Sequence, residues 1–504
     1  MVTYSNKNAD QYFKNDLHRV HPLSLVAVFM VLLLNVFGRV TRPWCNAVLS
    51  LLKIILSYVC GETEREKKIL DHFPTDVRSV RKIFDLEAST TVYACCPVCS
   101  AVYKPTRKKK ILVYPRRCTD RRYCGHRPCG AALTQSQVQD GESVRAPTRP
   151  FAVQDFDAFV ARLLSQPGME EAMDRGTMLN ERAEMWDIKD GSGIWDIKGP
   201  DGQPFMDGLR RGELRLAWSL SVDWFNPYLN KASGKSASVG SIAMALLNLP
   251  PSLRYKPECL YLMGVIPGPK EPSLDEIDHF LSVLVDMLLP SWKQGTWFKQ
   301  THHNRNGRLS RSVIAVAVND LPAARKVYGF ASHSANIFCA MCKLTKSEIR
   351  NLDHLNWPRS SRDEYIKAAE AWRDAPSKSK RKRLYKENGI RWSILLRLPY
   401  WDPTKCIVVD CMHNLFLGLV QFHFRQVIGI DHASEGDKIQ DDGSVNENDM
   451  AKARAALLSK PTHKTLRRLT IPVLQCLCAE NRLNIAVQGN QQRKTDLISA
   501  LLVR

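Results

Sequence analysis

The chain has 504 residues, with 72 Lys and Arg against 51 Asp and Glu for a formal charge of +21, and 44% of it is hydrophobic. At roughly 150 residues per domain that length suggests about three domains with real cores, which excludes a wholly disordered chain. Its 15 cysteines are too dilute for a disulfide-built fold, so reduced thiols, metal ligands and core positions are their default roles, and the positive charge points to a polyanion, either nucleic acid or an anionic membrane surface.

Residues 1–90 read as helical. Two apolar runs, 23–37 and 47–59, are separated by Gly38 and Arg39, and Lys53 interrupts the second. The first falls short of the roughly 20 residues a membrane span needs. A charge inside a short run favours a buried helical hairpin over a membrane pair. Residues 91–133 form a zinc-ribbon-like module, in which the Cys96-x2-Cys99 knuckle is followed by Cys118, Cys124, His126 and Cys129. Cys96, Cys99, Cys118 and Cys129 are the expected ligands, with Cys124 or His126 as substitute. The loop between the two halves carries Lys104, Arg107, Lys108, Lys109, Lys110, Arg116 and Arg117 beside Tyr103 and Tyr114. Cations suit phosphates and aromatics suit bases, so the loop is a nucleic-acid contact or else a solvated basic loop. Residues 134–213 read as a polar linker, 134–149, followed by a helical region in which WDIK occurs at Trp186 and again at Trp195.

From residue 214 to 338 the pattern is three strands, an amphipathic helix over 273–297, and a fourth strand. That order begins a ribonuclease-H-like mixed-sheet α/β core. Asp223 and Asp320 each close a run of β-formers and precede a Pro-containing turn. Two such carboxylates on neighbouring strand ends can share divalent cations for phosphodiester chemistry, whereas a lone strand-end Asp is usually a cap. Residues 339–396 read as a basic helical insertion opened by Cys339-x2-Cys342, with His333 and His354 nearby; a second zinc knuckle is one reading of it. Within the insertion, Lys380, Arg381, Lys382 and Arg383 suit nuclear import, DNA-backbone contact or a solvated helix face. The core resumes over 397–430 with Asp410-x2-His413 at a strand-to-helix turn. This pair either ligates metal and orients a water or phosphate, or caps the helix. Residues 431–469 read as an acidic loop and linker. The tail, 470–504, reads as two helices, with Val473, Leu474 and Leu477 on one, Leu497, Ile498, Leu501 and Leu502 on the other, and Arg493 and Lys494 between. It resembles the SAP helix-extended-helix DNA-binding module, with a plain helical hairpin as the alternative.

Several long phrases carry a wider resemblance: LRLAWSLSVDWFNP, RYKPECLYLMGVIPGPKEPSLDEIDHF, NDLPAARKVYGFASHSANIFCAMC, RWSILLRLPYWDPTKCIVVDCMHNLFLGLVQ and the cysteine phrases CPVC, YPRRC and PCG. Over roughly residues 96–425 the chain resembles CACTA-type (En/Spm-like) DNA transposases of basidiomycete fungi. The resemblance implies a ribonuclease-H-like DDE/D core that cleaves transposon ends and joins them to target DNA with Mg²⁺ or Mn²⁺. It also implies structural Zn²⁺, a nuclear location, terminal repeats and target DNA as partners, and a homo-oligomer that pairs two ends. Asp223 matches the first catalytic acid and Asp320 the second. Asp410 and His413 match an acid-x2-His signature that lies before the third acid, for which Glu435, Glu447, Glu480 or a nearby Asp would then have to serve. Complete members are longer, so the expectation is a truncated copy, inactive if that acid is missing. The alternative is a non-catalytic zinc-containing DNA-binding protein derived from a transposase.

Overall fold

The computed structural model describes the chain apart from residues 1–4, 8–11, 14–20, 60–62, 85, 109–110, 124, 140–141, 178–183, 208–211, 229–236, 340, 431–446, 460, 484–493 and 504. It divides into two compact units, Met1–Asn414 and Leu415–Arg504.

The first unit opens with the short strand β1 (Ser5–Lys7) and four helices, α1 (Pro22–Val36), α2 (Arg42–Val59), α3 (Glu64–Asp71) and α4 (Val77–Ile83). Val28, Val31, Cys45, Leu49 and Val80 close a small core among α1, α2 and α4. The opposite faces of α1 and α2 leave Val26, Phe37, Ile54 and Ile55 exposed. Among the described residues no helix is long and apolar enough to cross a membrane.

Next come β2 (Thr90–Cys95), β3 (Val102–Tyr103) and a hairpin of β4 (Thr106–Lys108) and β5 (Ile111–Val113). Residues 134–149, expected to be a linker, instead contain a second hairpin, β6 (Thr134–Gln139) with β7 (Glu142–Pro147), that leads into β8 (Pro150–Gln154). The helices α5 (Phe156–Leu164), α6 (Met169–Arg175) and α7 (Ser192–Trp195) follow. In the repeated WDIK stretch, Asp187 accepts two hydrogen bonds from the buried Arg254 guanidinium, at 2.7 and 2.6 Å. The first copy is therefore a structural clasp.

The centre of the unit is built from β9 (Leu214–Phe225), β10 (Val239–Leu246), α8 (Pro251–Arg254), β11 (Leu260–Ile266), α9 (Ile277–Lys293), β12 (Thr296–Phe298) and β13 (Arg308–Asn319). It continues through α10 (Leu321–Tyr328), α11 (Arg362–Arg373), α12 (Lys378–Asn388) and β14 (Ile407–Val409). β9 and β13 are almost continuously buried, the signature of strands covered on both faces. Antiparallel pairing joins β9 to β10 and β10 to β11, whereas β13 runs parallel to β9 and β14 parallel to β13. The local strand order is thus β11, β10, β9, β13, β14, with α9 crossing over before β13 and α10 before β14. The same sheet extends outward through β8, β2 and β3 on one side and through β12 and β1 on the other, giving ten strands in all.

Gly264 permits that extension, because a Cβ there would stand 2.6 Å from the Ala152 carbonyl oxygen where β8 meets β11. Buried ion pairs tie the entry ends of β9 and β13: one Glu213 carboxylate oxygen accepts from Arg215 at 2.9 Å and from Arg311 at 3.2 Å. Arg308 is shared between Glu170 and Asp174 at 2.9 and 2.7 Å.

The second unit contains α13 (Glu447–Leu458), α14 (His463–Leu466), α15 (Ile471–Glu480) and α16 (Lys494–Leu502). Leu466, Leu474, Leu477, Leu497 and Leu501 form its core, joined by Met450 and Ala453 of α13. The segment expected to link the core to a two-helix tail therefore contributes a helix of its own, and the tail packs as part of a four-helix cluster.

Candidate active site and metal centre

Strand register brings the sequence-predicted acids to one level. β13 pairs with β9 so that Ala317 faces Leu220, and continuing that register by three residues sets Asp320 beside Asp223. β14 pairs with β13 so that Val409 faces Asn319, which sets Asp410 beside Asp320. Parallel neighbours lie about 4.8 Å apart. By that extension three acids spread over 187 residues of the chain (410 − 223) fall at one level of three adjacent strands, Asp320 and Asp410 each one residue past the C-terminal end of its strand. Asp223 lies two residues inside its strand, which continues to Phe225, rather than at its very end.

Each acid also does local work. The exposed Asp223 carboxylate accepts from the Trp224 N–H at 2.8 Å. Asp320 caps α10 by accepting from the Ala323 N–H at 2.7 Å. Asp410 accepts from the Met412 N–H at 3.0 Å with one oxygen and from His413 Nδ1 with the other. That hydrogen bond raises the His413 pKa, and the negative charges of Asp410, Asp320 and Asp223 push the same way. The imidazole therefore feels all three carboxylates. The partner effect holds the Asp410 carboxyl below its ordinary range.

Asn319, which the sequence reading did not single out, is buried between these strands. Its amide donates to the Val222 carbonyl at 2.6 Å and its oxygen accepts from the Tyr328 hydroxyl. It fastens the end of β13 to the end of β9 and to α10, one residue from each of the first two acids. The Asn-Asp pair at a strand end was the available signal.

A second site lies in the cysteine module. Cys96, Cys99, Cys118 and Cys129 bring their sulfurs within 4.8 Å of one another, with Cys129 half-buried and the other three buried. The Cys96–Cys129 and Cys99–Cys118 separations are 3.7 and 3.4 Å. Four thiolates placed tetrahedrally at Zn–S distances of about 2.3 Å would stand roughly 3.8 Å apart, so the cage fits Zn²⁺. The Val98 N–H points at Cys96 Sγ (3.4 Å) and the Tyr103 hydroxyl lies 3.2 Å from Cys118 Sγ, which are second-layer contacts to two of the sulfurs. Burial, with the neighbouring thiols, pushes the Cys99 thiol far up. His126 is turned to the Arg127 carbonyl at 2.8 Å and stands outside the cage, and Cys124 lies outside the described residues.

The remaining predicted residues divide. Cys339 accepts from the Met341 N–H at 3.4 Å, as Cys96 does from Val98, but among the described residues no third ligand joins Cys339 and Cys342. Among the described residues only the four-cysteine group gathers at least three potential ligand atoms within 4.8 Å of one another, and the three carboxylates do not. Lys104, Arg107, Lys108, Arg116 and Arg117 are exposed, as are Lys380, Lys382 and Arg383, whereas Arg381 is turned inward and half-buried. Lys494 opens α16. Lys109, Lys110, Arg493 and Glu435 lie outside the described residues, as does the Glu447 side chain, and Glu480 is paired with Arg454 at 2.6 Å in the second unit.

No curated protein matches the chain. Residues 206–384, which include Asp223, Asp320, Cys339, Cys342 and the first seven residues of the basic helix α12, match the family model described as transposase family tnp2, and this match supports a transposase family for the chain.

Proposed function

We propose that the chain is a DNA transposase of the CACTA type, with a ribonuclease-H-like core that cuts DNA and joins the freed end by metal-dependent phosphoryl transfer. The observation that carries this reading is the in-register row Asp223, Asp320, Asp410 on strands ordered β11, β10, β9, β13, β14. It is joined by the match of residues 206–384, which hold the first two of these acids, to a transposase family. In this reading Asp410 supplies the third carboxylate, so none of Glu435, Glu447 or Glu480 is needed.

The donor set fits a hard divalent cation, because Asp223 and Asp320 each commit one carboxylate oxygen to a backbone N–H. Each keeps the other oxygen for a Mg²⁺ or Mn²⁺ ligand. The bound cations would supply charge stabilisation at the attacking and leaving oxygens. The protein's own groups position them and handle protons. Water attacks the phosphorus, the bond from phosphorus to the 3′ oxygen breaks, and the freed strand end leaves as a 3′-hydroxyl opposite a 5′-phosphate. That hydroxyl then attacks a target phosphodiester and displaces its 3′ oxygen. His413, held by Asp410, is placed to exchange the proton of the attacking or leaving oxygen. The cysteine module holds Zn²⁺ as a structural ion.

A second reading, a zinc-containing DNA-binding protein without catalysis, is favoured by one observation: both Asp410 oxygens are already engaged, by Met412 and His413. Cleavage of a labelled terminal-repeat duplex in Mg²⁺ or Mn²⁺ separates the two. Metal-dependent nicking abolished by Asp320→Asn supports the transposase, and tight binding without nicking supports the second reading.

A further inference from the structure

Arg121 and Arg122 of the cysteine module, just beyond its basic loop, meet the basic helix α12 more than 250 residues later in the chain, and the residue that joins them is Arg381. Its guanidinium donates to the Arg122 carbonyl at 2.6 Å and to the Arg373 carbonyl at 2.8 Å. It stacks 4.5 Å from the centre of the Trp372 ring and 5.9 Å from that of Tyr123. One side chain thereby clamps α12 to α11 and to the cysteine module.

Helical spacing decides what remains outside. Arg381, Leu384, Tyr385 and Asn388 are the half-buried positions of α12, at i, i+3, i+4 and i+7, so they form its inner face. Lys382, Arg383 and Lys386 occupy the outer face and are exposed. Beside the clamp, Arg121 and Arg122 of the cysteine module are exposed as well. Among the described residues only Arg383 of these five has an ion pair, a long one at 3.6 Å to Glu387. The two aromatic rings at the junction are occupied by Arg381 and are therefore not free to stack on bases. At the clamp, Asp120, Asp275, Glu276 and Asp278 line a hollow of about 410 Å³ together with Arg121, Arg122, Arg373 and Arg381, whereas Lys382, Arg383 and Lys386 lie outside it.

We propose that Arg121 and Arg122 of the cysteine module and Lys382, Arg383 and Lys386 of α12 form one composite site for the phosphate backbone of duplex DNA, held in shape by Arg381. Exposed cations without free aromatics, of which only Arg383 is ion-paired among the described residues and Arg121 also donates to the His126 carbonyl at 3.2 Å, suit a duplex backbone rather than unstacked bases. Arg381 is then a positioning residue, not a phosphate contact. The inference rests on the DNA-handling part of the proposed function and says where the duplex lies.

The test is fluorescence anisotropy of the zinc-loaded full chain with a labelled duplex of about 30 base pairs, titrated across salt. Arg121→Ala/Arg122→Ala and Lys382→Ala/Arg383→Ala/Lys386→Ala should each weaken binding about tenfold at low salt. Each should also flatten the salt slope by roughly 0.9 per cation removed. Arg381→Lys keeps the charge but loses the forked donor, and should weaken duplex binding about tenfold with unchanged secondary structure by circular dichroism. Unaltered binding in Arg381→Lys, two duplexes bound per chain, or preference for single-stranded DNA, RNA or phosphatidylserine vesicles over the duplex would each overturn the composite site. If the duplex binds as expected but is never cut, only the catalytic reading fails.

Discussion

Asp278 shows how far a single side chain can depart from its ordinary chemistry. Placed at the start of α9, it accepts from the Ile394 N–H at 3.0 Å. Burial pushes its carboxyl up to about 7, Asp275 adds to the rise, and Arg391 and the Ile394 N–H oppose it. The unfolded chain would release that proton near pH 4. The folded state therefore binds it more tightly, and stability is lost as pH rises from about 4 to about 7. Asp278→Asn keeps an acceptor for Ile394 and removes the penalty. Its melting temperature relative to the parent should climb across that window and level off above it, with a gain of about 1 kcal/mol or more at pH 8. A variant less stable than the parent at pH 8 would refute this account. The cysteines give a second test at the same scale. Cys99→Ser should reduce bound zinc from about one equivalent to near none and destabilise the first unit by roughly 3 kcal/mol or more, read by metal analysis and chemical denaturation. Retention of a full equivalent would move the site elsewhere.

Between strands, Asn319 is the element-scale counterpart. Its bonds to Val222 and Tyr328 hold the ends of β13, β9 and α10 in register. Asn319→Leu would leave a buried carbonyl and a buried hydroxyl unpaired, at a cost of about 1–3 kcal/mol each. Thermal melting should fall accordingly, and Mn²⁺ affinity should fall with it because Asp320 moves relative to Asp223. Unchanged metal affinity in a folded variant would separate register from the site. Much of this level was legible in sequence. The run of β-formers before Asp223 and again before Asp320 marked the two central strands, since strands buried on both faces carry nearly unbroken apolar patterns. The 134–147 hairpin was hidden because its strands, TQSQVQ and ESVRAP, are polar, with Gln135 to Val138 exposed, although the sequence Asp140-Gly141 between them is a known turn signal. Asp410 was visible as a residue, but its level beside Asp320 was not, because register depends on the three-residue strand β14 pairing at long range.

At the scale of the whole molecule, the charge of +21 becomes a question of placement. The sequence located the 380–383 run but not Arg121 and Arg122, and the folded chain joins the two through Arg381, a contact between residues 259 positions apart that no local pattern could reveal. The same limit applied to the acids. Local chemistry named Asp223, Asp320 and Asp410, and only sheet topology sets them in one row. In the proposed function that row acts as a divalent-metal site for DNA cleavage. The most direct measurement is single-turnover nicking of a terminal-repeat duplex by the full chain in Mg²⁺, comparing the parent with Asp223→Asn, Asp320→Asn and Asp410→Asn. A metal-dependent product with a 3′-hydroxyl, reduced by about 10³-fold or more in each variant while duplex binding persists, is the predicted result. Nicking that survives the loss of any one of these carboxylates, or that proceeds without metal, would contradict it.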